Sequence, residues 1–358
     1  MKVIDVFEPQ IGRGARLGKL LASVAALLLA GSFATEPIWA LPSCPTPTLI
    51  STCCIADQAG KTYSLGSDLV ENKSVDCIDI AAPSVLFEMN SHTITGPIGG
   101  GIGIHVLSTA PNAIVLGGDA VEKFAVGFQS DAANTFSEEV ETALNTRGII
   151  FNGSGAIALL PIAVANLHNG MVLTSAASGS YLIEPESISN SGNGIVLNGT
   201  TGVTIADIVA EENVGYGLWL KGASFNSIHT GLLEGNSIAG AYLGCHADGP
   251  STAPCAIPPS NGNSIDGLFS PGLKVGSCPS GTQHNQGIGI AIDTGNKMNH
   301  VLVVTTDTNS SCGTPGDTIL DGFDGNPGVA CAGDFWFNDT FTIAPNHTAT
   351  SAHPFCMD

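Results

Sequence analysis

Two sets of side chains have the types and spacing that chemistry needs. The first is acidic: Asp207, Glu211 and Glu234, with Glu211 and Glu234 separated by 23 residues. If that spacing stacks them, two carboxyl groups about 5 Å apart repel, so that one keeps its proton as a general acid or a cation settles between them. Retaining glycosidases use carboxyl pairs at about that separation. The second set is Val196, Trp219 and Tyr242, also 23 apart, with His105 further upstream. In strands whose flanking Ile195 and Leu197 point inward, these side chains point outward and make an exposed aromatic column. Aromatic faces stack on the apolar faces of sugar rings, so the column is the ligand-binding candidate, with strand-on-strand packing beneath a loop as its structural counterpart. A third group, Asp317, Asp321, Asp324 and Asn326, offers oxygen ligands within ten residues, punctuated by Gly. Calcium favours such flexible oxygen-rich loops, and a turn leading into the C-terminal end explains the same residues.

The elements that must position these residues are repeats. NSGNGIVL from Asn190, NVGYGLWL from Asn213 and NSIAGAYL from Asn236 keep one register, with columns at Asn190, Asn213 and Asn236, at Gly194, Gly217 and Gly240, and at Leu197, Leu220 and Leu243. Gly103, Gly127, Gly148 and Gly170 extend the series upstream, and Gly287, 47 residues after Gly240, reads as two turns further on with Asn263 marking the one between. The units are short, bounded by Gly and Asn, and dense in Val, Ile and Thr, which specifies strands. Self-similarity at this period specifies identical turns stacked along an axis, with the Asn column forming an amide ladder at a corner that takes the left-handed conformation.

Together with LFEMNSHTITGP from Leu86 to Pro97, these repeats resemble the right-handed parallel β-helix of the pectin-lyase-like superfamily. The resemblance covers roughly Tyr63 to Val304. It implies an all-β, single-stranded right-handed solenoid of about 8–10 turns of about 23 residues. Function does not follow from it, because the superfamily holds lyases, hydrolases, epimerases, binding proteins and adhesins. The Asp-Asp pair and Gly-His-Gly segment of its hydrolases are missing, as is the Asp-Pro-His-Asp segment of its mannuronan epimerases. Its pectate lyases use Arg as base, and Arg147 is the single Arg after residue 40.

Residues 1–40 read as an export signal: Arg13, Arg16 and Lys19 precede an apolar core from Leu20 to Ala30, and Ile38-Trp39-Ala40 makes a cleavage site. The organisation expected after it is a Cys-rich cap at 41–62, the β-helix at 63–304 with insertions at 130–146 and 244–286, and an irregular cap at 305–358. All ten Cys follow the signal, and disulfides suit an exported chain. Cys44, Cys53, Cys54 and Cys77 cluster at the first turn, Cys245 and Cys255 flank a Pro-rich loop, Cys331 and Cys356 tie down the C-terminal end, and Cys278 and Cys312 are further candidates.

The whole chain carries a net charge of −20. Such a field repels nucleic acid and carboxylate-bearing sugars, and no basic patch offsets it. Neutral glycans are the easier ligand. The sequence therefore reads as an exported monomer without a membrane span, binding carbohydrate or a cell-surface component with no recognisable catalytic signature and no cofactor beyond candidate calcium. The alternatives are a polysaccharide hydrolase, lyase or epimerase built on the acidic set, and a structural or adhesive surface protein.

Overall fold

The period becomes a three-faced stack in the computed structural model of the protein, which describes residues 41–45, 49–247, 257–271, 288–292, 296, 298–302, 305–307, 320–324, 335–337 and 340–341. All of them fall in the compact unit Ala40–Asp358. Each turn gives one short strand to each face, and every pairing between turns is parallel.

The first face runs through Cys54–Ala56, Ile78–Ile80, the ends of Ile94–Val106 and Ala120–Ser130, then Arg147–Phe151, Met171–Leu173, Ile195–Asn198, Tyr216–Lys221 and Ala239–Leu243. These strands enclose about eight turns of about 23 residues. The second face includes Thr62–Ser64, Leu86–Glu88, Ile157–Leu159, Tyr181–Ile183 and the starts of Thr204–Glu211, Ser227–Glu234 and Ser264–Pro271. Period-two alternation sends Ile195, Leu197, Leu218, Leu220, Ala241 and Leu243 into a continuous buried core. Each such Leu contributes about 1.5–3 kcal/mol by leaving water.

The Asn column forms the expected ladder. Asn166 Nδ2 donates to Asn190 Oδ1, Asn190 to Asn213 and Asn213 to Asn236, each at 2.9 Å, and all four residues are buried. A parallel ladder joins Asn226, Asn263 and Asn299 on the next corner, again at 2.9 Å. The left-handed residue at the first corner is the one before the Asn, at Leu144, Ala165, Ser189 and Glu212. Asn is required there for its amide, which captures the main-chain N–H of the Asn one turn earlier.

The Gly four places after each Asn is fixed by the same ladder. A Cβ on Gly194 would lie 2.9 Å from Asn213 Nδ2 and 2.5 Å from Gly217 O. No side chain fits against the amide of the next turn.

Three expectations are corrected. Residues 130–146 are no insertion, because Phe136–Glu138 and Glu141–Ala143 are strands in register with both neighbouring turns. Gly240 and Gly287 are not two turns apart: Ala239 pairs directly with Ile288, and Asn263 belongs to the other ladder, 37 residues after Asn226. The stack also starts inside the Cys-rich segment, where Cys54 pairs with Ile78. At that end, disulfides join Cys44 to Cys54 and Cys53 to Cys77, and the main chain of Pro42 and Cys44 covers the sheet edge by hydrogen bonding with Ile55.

Cys245 is disulfide-bonded. Residues 1–40 and Cys255, Cys278, Cys312, Cys331 and Cys356 lie outside the described residues. Among the described residues, no helix is long and apolar enough to cross a membrane.

Candidate functional site

Four titratable side chains converge at the N-terminal end of the first face. Ile78 and Ile80 point into the core, so Asp79 between them points out. His105 lies directly above it and Gln129 above His105, in parallel register. Asp76 and Asp131 reach the same spot from the strand ends.

His105 sits between carboxylates. Its Nδ1 is 3.2 Å from Asp76 Oδ2 and 4.0 Å from Asp79 Oδ1, and its Nε2 is 2.8 Å from Asp131 Oδ2. Asp131 also accepts hydrogen bonds from Gln129 Nε2 at 3.0 Å and Asn152 Nδ2 at 2.7 Å. Asp76 is held by the main chain, since Ile102 N–H donates to its Oδ1 at 2.8 Å.

That last contact explains the Gly-rich run before Ile102. A Cβ on Gly100 would lie 2.9 Å from Ser74 Cα, and one on Gly101 would overlap the Val75 carbonyl. Glycines let this strand cross Ser74 and Val75 closely enough to deliver the Ile102 N–H. The neighbouring Cys77 is pinned by its disulfide.

Burial sets the electrostatics. It pushes the Asp79 carboxyl up to about 6, with the Asp76 charge adding to the rise and His105 opposing it. Asp79 Oδ1 is fully buried and has no hydrogen-bond partner. Burial also favours a neutral His105 ring, but the hydrogen bonds and charges of Asp76 and Asp131 outweigh it and raise the pKa. At Asp131 burial works upward, and the hydrogen bonds from His105, Asn152 and Gln129 outweigh it, lowering the pKa. The result is a protonatable carboxyl, Asp79, in the same cluster as Asp131, whose carboxylate His105 helps keep charged. One ligand atom each from Asp76, Asp79 and His105 lies within 4.8 Å of the others, a donor set suited to a divalent cation.

The other sequence candidates fare differently. The column Val196, Trp219, Tyr242 is in register, but it is not exposed: Trp219 is 7% accessible and Tyr242 fully buried. Residues 244–247 fold over it, with Trp219 Nε1 donating to Gly244 O, Tyr216 Oη to His246 O, and His246 N–H to Tyr242 Oη. Tyr216 and Tyr242 stack at 4.4 Å beneath this cover. The aromatics are a satellite core, packed by area burial and ring stacking.

Glu211 and Glu234 do stack in register. Asp207 occupies a left-handed corner and accepts a hydrogen bond from Thr230 Oγ1, apart from that pair. Asp321 and Asp324 fall in strand Leu320–Asp324 rather than a loop, while Asp317 and Asn326 lie outside the described residues. Of the candidates named from sequence, only His105 enters the cluster. Asp76, Asp79 and Asp131 were missed. One further step along His105's own column, 26 residues back, reaches Asp79.

The fold defines a class: the chain is a parallel β-helix repeat protein. Residues 88–265 match the family described as "Periplasmic copper-binding protein (NosD)". That stretch includes His105 and Asp131 but neither Asp76 nor Asp79. Among solved structures, the Dettilon tailspike protein superposes with a TM-score of 0.54 at 12% identity, over 79% of this chain and 60% of that one. The DFA-IIIase from Arthrobacter chlorophenolicus A6, solved without its lid, gives 0.50 at 13% identity, over 76% and 70%. This chain thus spans about three fifths of the tailspike protein it matches. Such identities carry the fold alone. No curated protein sequence matches the chain.

Proposed function

We propose that the protein is exported and acts on a neutral polysaccharide, with Asp79 as proton donor in the Asp76, Asp79, His105 and Asp131 cluster. A binder that works by stacking needs exposed aromatics, whereas an acid–base catalyst needs a carboxyl kept protonated near neutral pH. The first face buries its aromatics and raises Asp79. The observation that carries the reading is the unpartnered Asp79 Oδ1 beside Asp76 and His105. The Asp76 and Asp79 ligand atoms lie within 4.8 Å, the close spacing of a retaining pair. Asp79 protonates the departing glycosidic oxygen while Asp76, oriented by Ile102 N–H and His105, attacks the anomeric carbon. Water deprotonated by Asp79 then releases the sugar from Asp76. Export is supported by the leader-like first forty residues and by a matching family described as periplasmic. A glycan panel scored for both binding and product release tests this. Asp79→Asn lowers product release about 100-fold or more with binding retained; unchanged release in the variant removes Asp79 from the reaction.

A second reading rests on the same donor set: Asp76, Asp79 and His105 hold a divalent cation, with Asp131 orienting the ring through its other nitrogen. The copper-binding description of the matching family supports it. Calorimetric titration of chelator-treated protein with copper(II) or calcium shows one tight site that Asp79→Asn abolishes; heat signals identical in both proteins reject it.

A further inference from the structure

The second face carries a separate constellation. Ser227 and His229 are two residues apart on strand Ser227–Glu234, so both point outward beside the buried Ile228. Asp266 is the register partner of His229 on the next turn. Ser227 Oγ is 2.7 Å from His229 Nε2, and His229 Nδ1 is 3.0 Å from Asp266 Oδ2. A hydroxyl on one ring nitrogen and a carboxylate on the other is the connectivity of an activated serine. His229 and Asp266 are 43% and 41% accessible, so substrate can reach them.

The surroundings fit an acyl substrate. In register, Thr204 precedes and Ser264 follows Ser227, about 4.8 Å to either side. Thr and Ser hydroxyls in that column are the donor type an attacked carbonyl needs. One turn before Thr204 and Ala206 lie Tyr181, 49% accessible, and Ile183, 38% accessible. They form an apolar landing surface leading to Ser227.

We propose that Ser227, His229 and Asp266 hydrolyse small acyl esters on the second face. Ser227 Oγ attacks the ester carbonyl carbon as its proton passes to His229 Nε2. The bond from that carbon to the alcohol oxygen breaks, and the alcohol leaves with the proton from Nε2. Water, deprotonated by the same nitrogen, attacks the acyl-serine and releases the carboxylic acid, restoring Ser227. Asp266 is a positioning residue that fixes the ring tautomer.

The inference is independent of the first-face cluster, because no residue is shared. It is tested on the full-length protein with a fluorophosphonate probe and p-nitrophenyl acetate. Mass spectrometry locates the phosphonate on Ser227, and Ser227→Ala lowers ester hydrolysis about 100-fold with an unchanged melting temperature. Asp266→Asn slows labelling of Ser227 at an unchanged melting temperature, and Asp266→Glu restores much of it; a purely structural role leaves the labelling rate of the folded variant in place. Probe spread over Ser227, Thr204 and Ser264 alike, or hydrolysis unaffected by Ser227→Ala, overturns the proposal.

Discussion

Asp79 couples its chemistry to folding. Its pKa rises from 3.8 to about 6, so the folded state holds the proton more tightly than the unfolded chain. The associated stability is full at low pH and lost as pH climbs through about 6, by up to about 3 kcal/mol. His105 acts in the same direction: a raised pKa gives stability below the unfolded value that fades as pH rises. Asp131, with a lowered pKa, loses its contribution only in acid. Thermal melts of the wild type should therefore fall as pH rises from about 4 to 6 through Asp79, with His105 extending the fall above that, and Asp79→Asn should flatten the lower part. A wild-type melting temperature constant over this range contradicts the burial of Asp79. Sequence could place His105 in an outward column, and Asp79 lies on the same column. Asp76 and Asp131 were beyond such reasoning, because each sits just outside the strand register and is brought in by a loop whose path depends on Gly100, Gly101 and Asn152.

At the scale of the turn, stacked amides turn a repeat into a rigid scaffold. Asn190 Nδ2 is shared among Asn213 Oδ1, Ala163 O and Ser187 Oγ, and its Oδ1 receives the N–H of Asn166. Asn190→Ala strands at least one buried donor and one buried acceptor, at a cost of about 2–5 kcal/mol. Asn198, exposed at the end of strand Ile195–Asn198 with ordinary extended backbone, should cost less than about 1 kcal/mol when changed to Ala. Urea denaturation of both variants measures the contrast, and equal losses would deny the ladder its role. Gly194→Ala should match the larger loss, since its Cβ meets the same ladder. Period, strand type and ladder were legible because Asn, Gly and Leu recur at fixed offsets. The spacing from Gly240 to Gly287 imitates two turns because a loop can lengthen one turn without breaking the ladder from Asn226 to Asn263.

Across the whole molecule, stability is a sum over neighbouring turns rather than over one closed core. The first turns depend on their end: Cys44–Cys54 and Cys53–Cys77 anchor the strand that pairs with Ile78–Ile80, which carries Asp79. Reduction should raise amide hydrogen exchange first in Cys54–Ala56 and Ile78–Ile80, while Tyr216–Lys221 stays protected. Simultaneous loss of protection along the stack would show one cooperative unit instead.

The cover of residues 244–247 over the satellite core gives the protein a built-in optical gauge. Trp219 is one of three tryptophans, its ring stacked near Tyr242 with the Lys221 ammonium 5.0 Å from its centre and its Nε1 bonded to Gly244 O. Its burial predicts a blue-shifted emission that moves red in a variant whose cover is removed. With the other two tryptophans changed to Phe, a spectrum reads the packing of that one loop without a label.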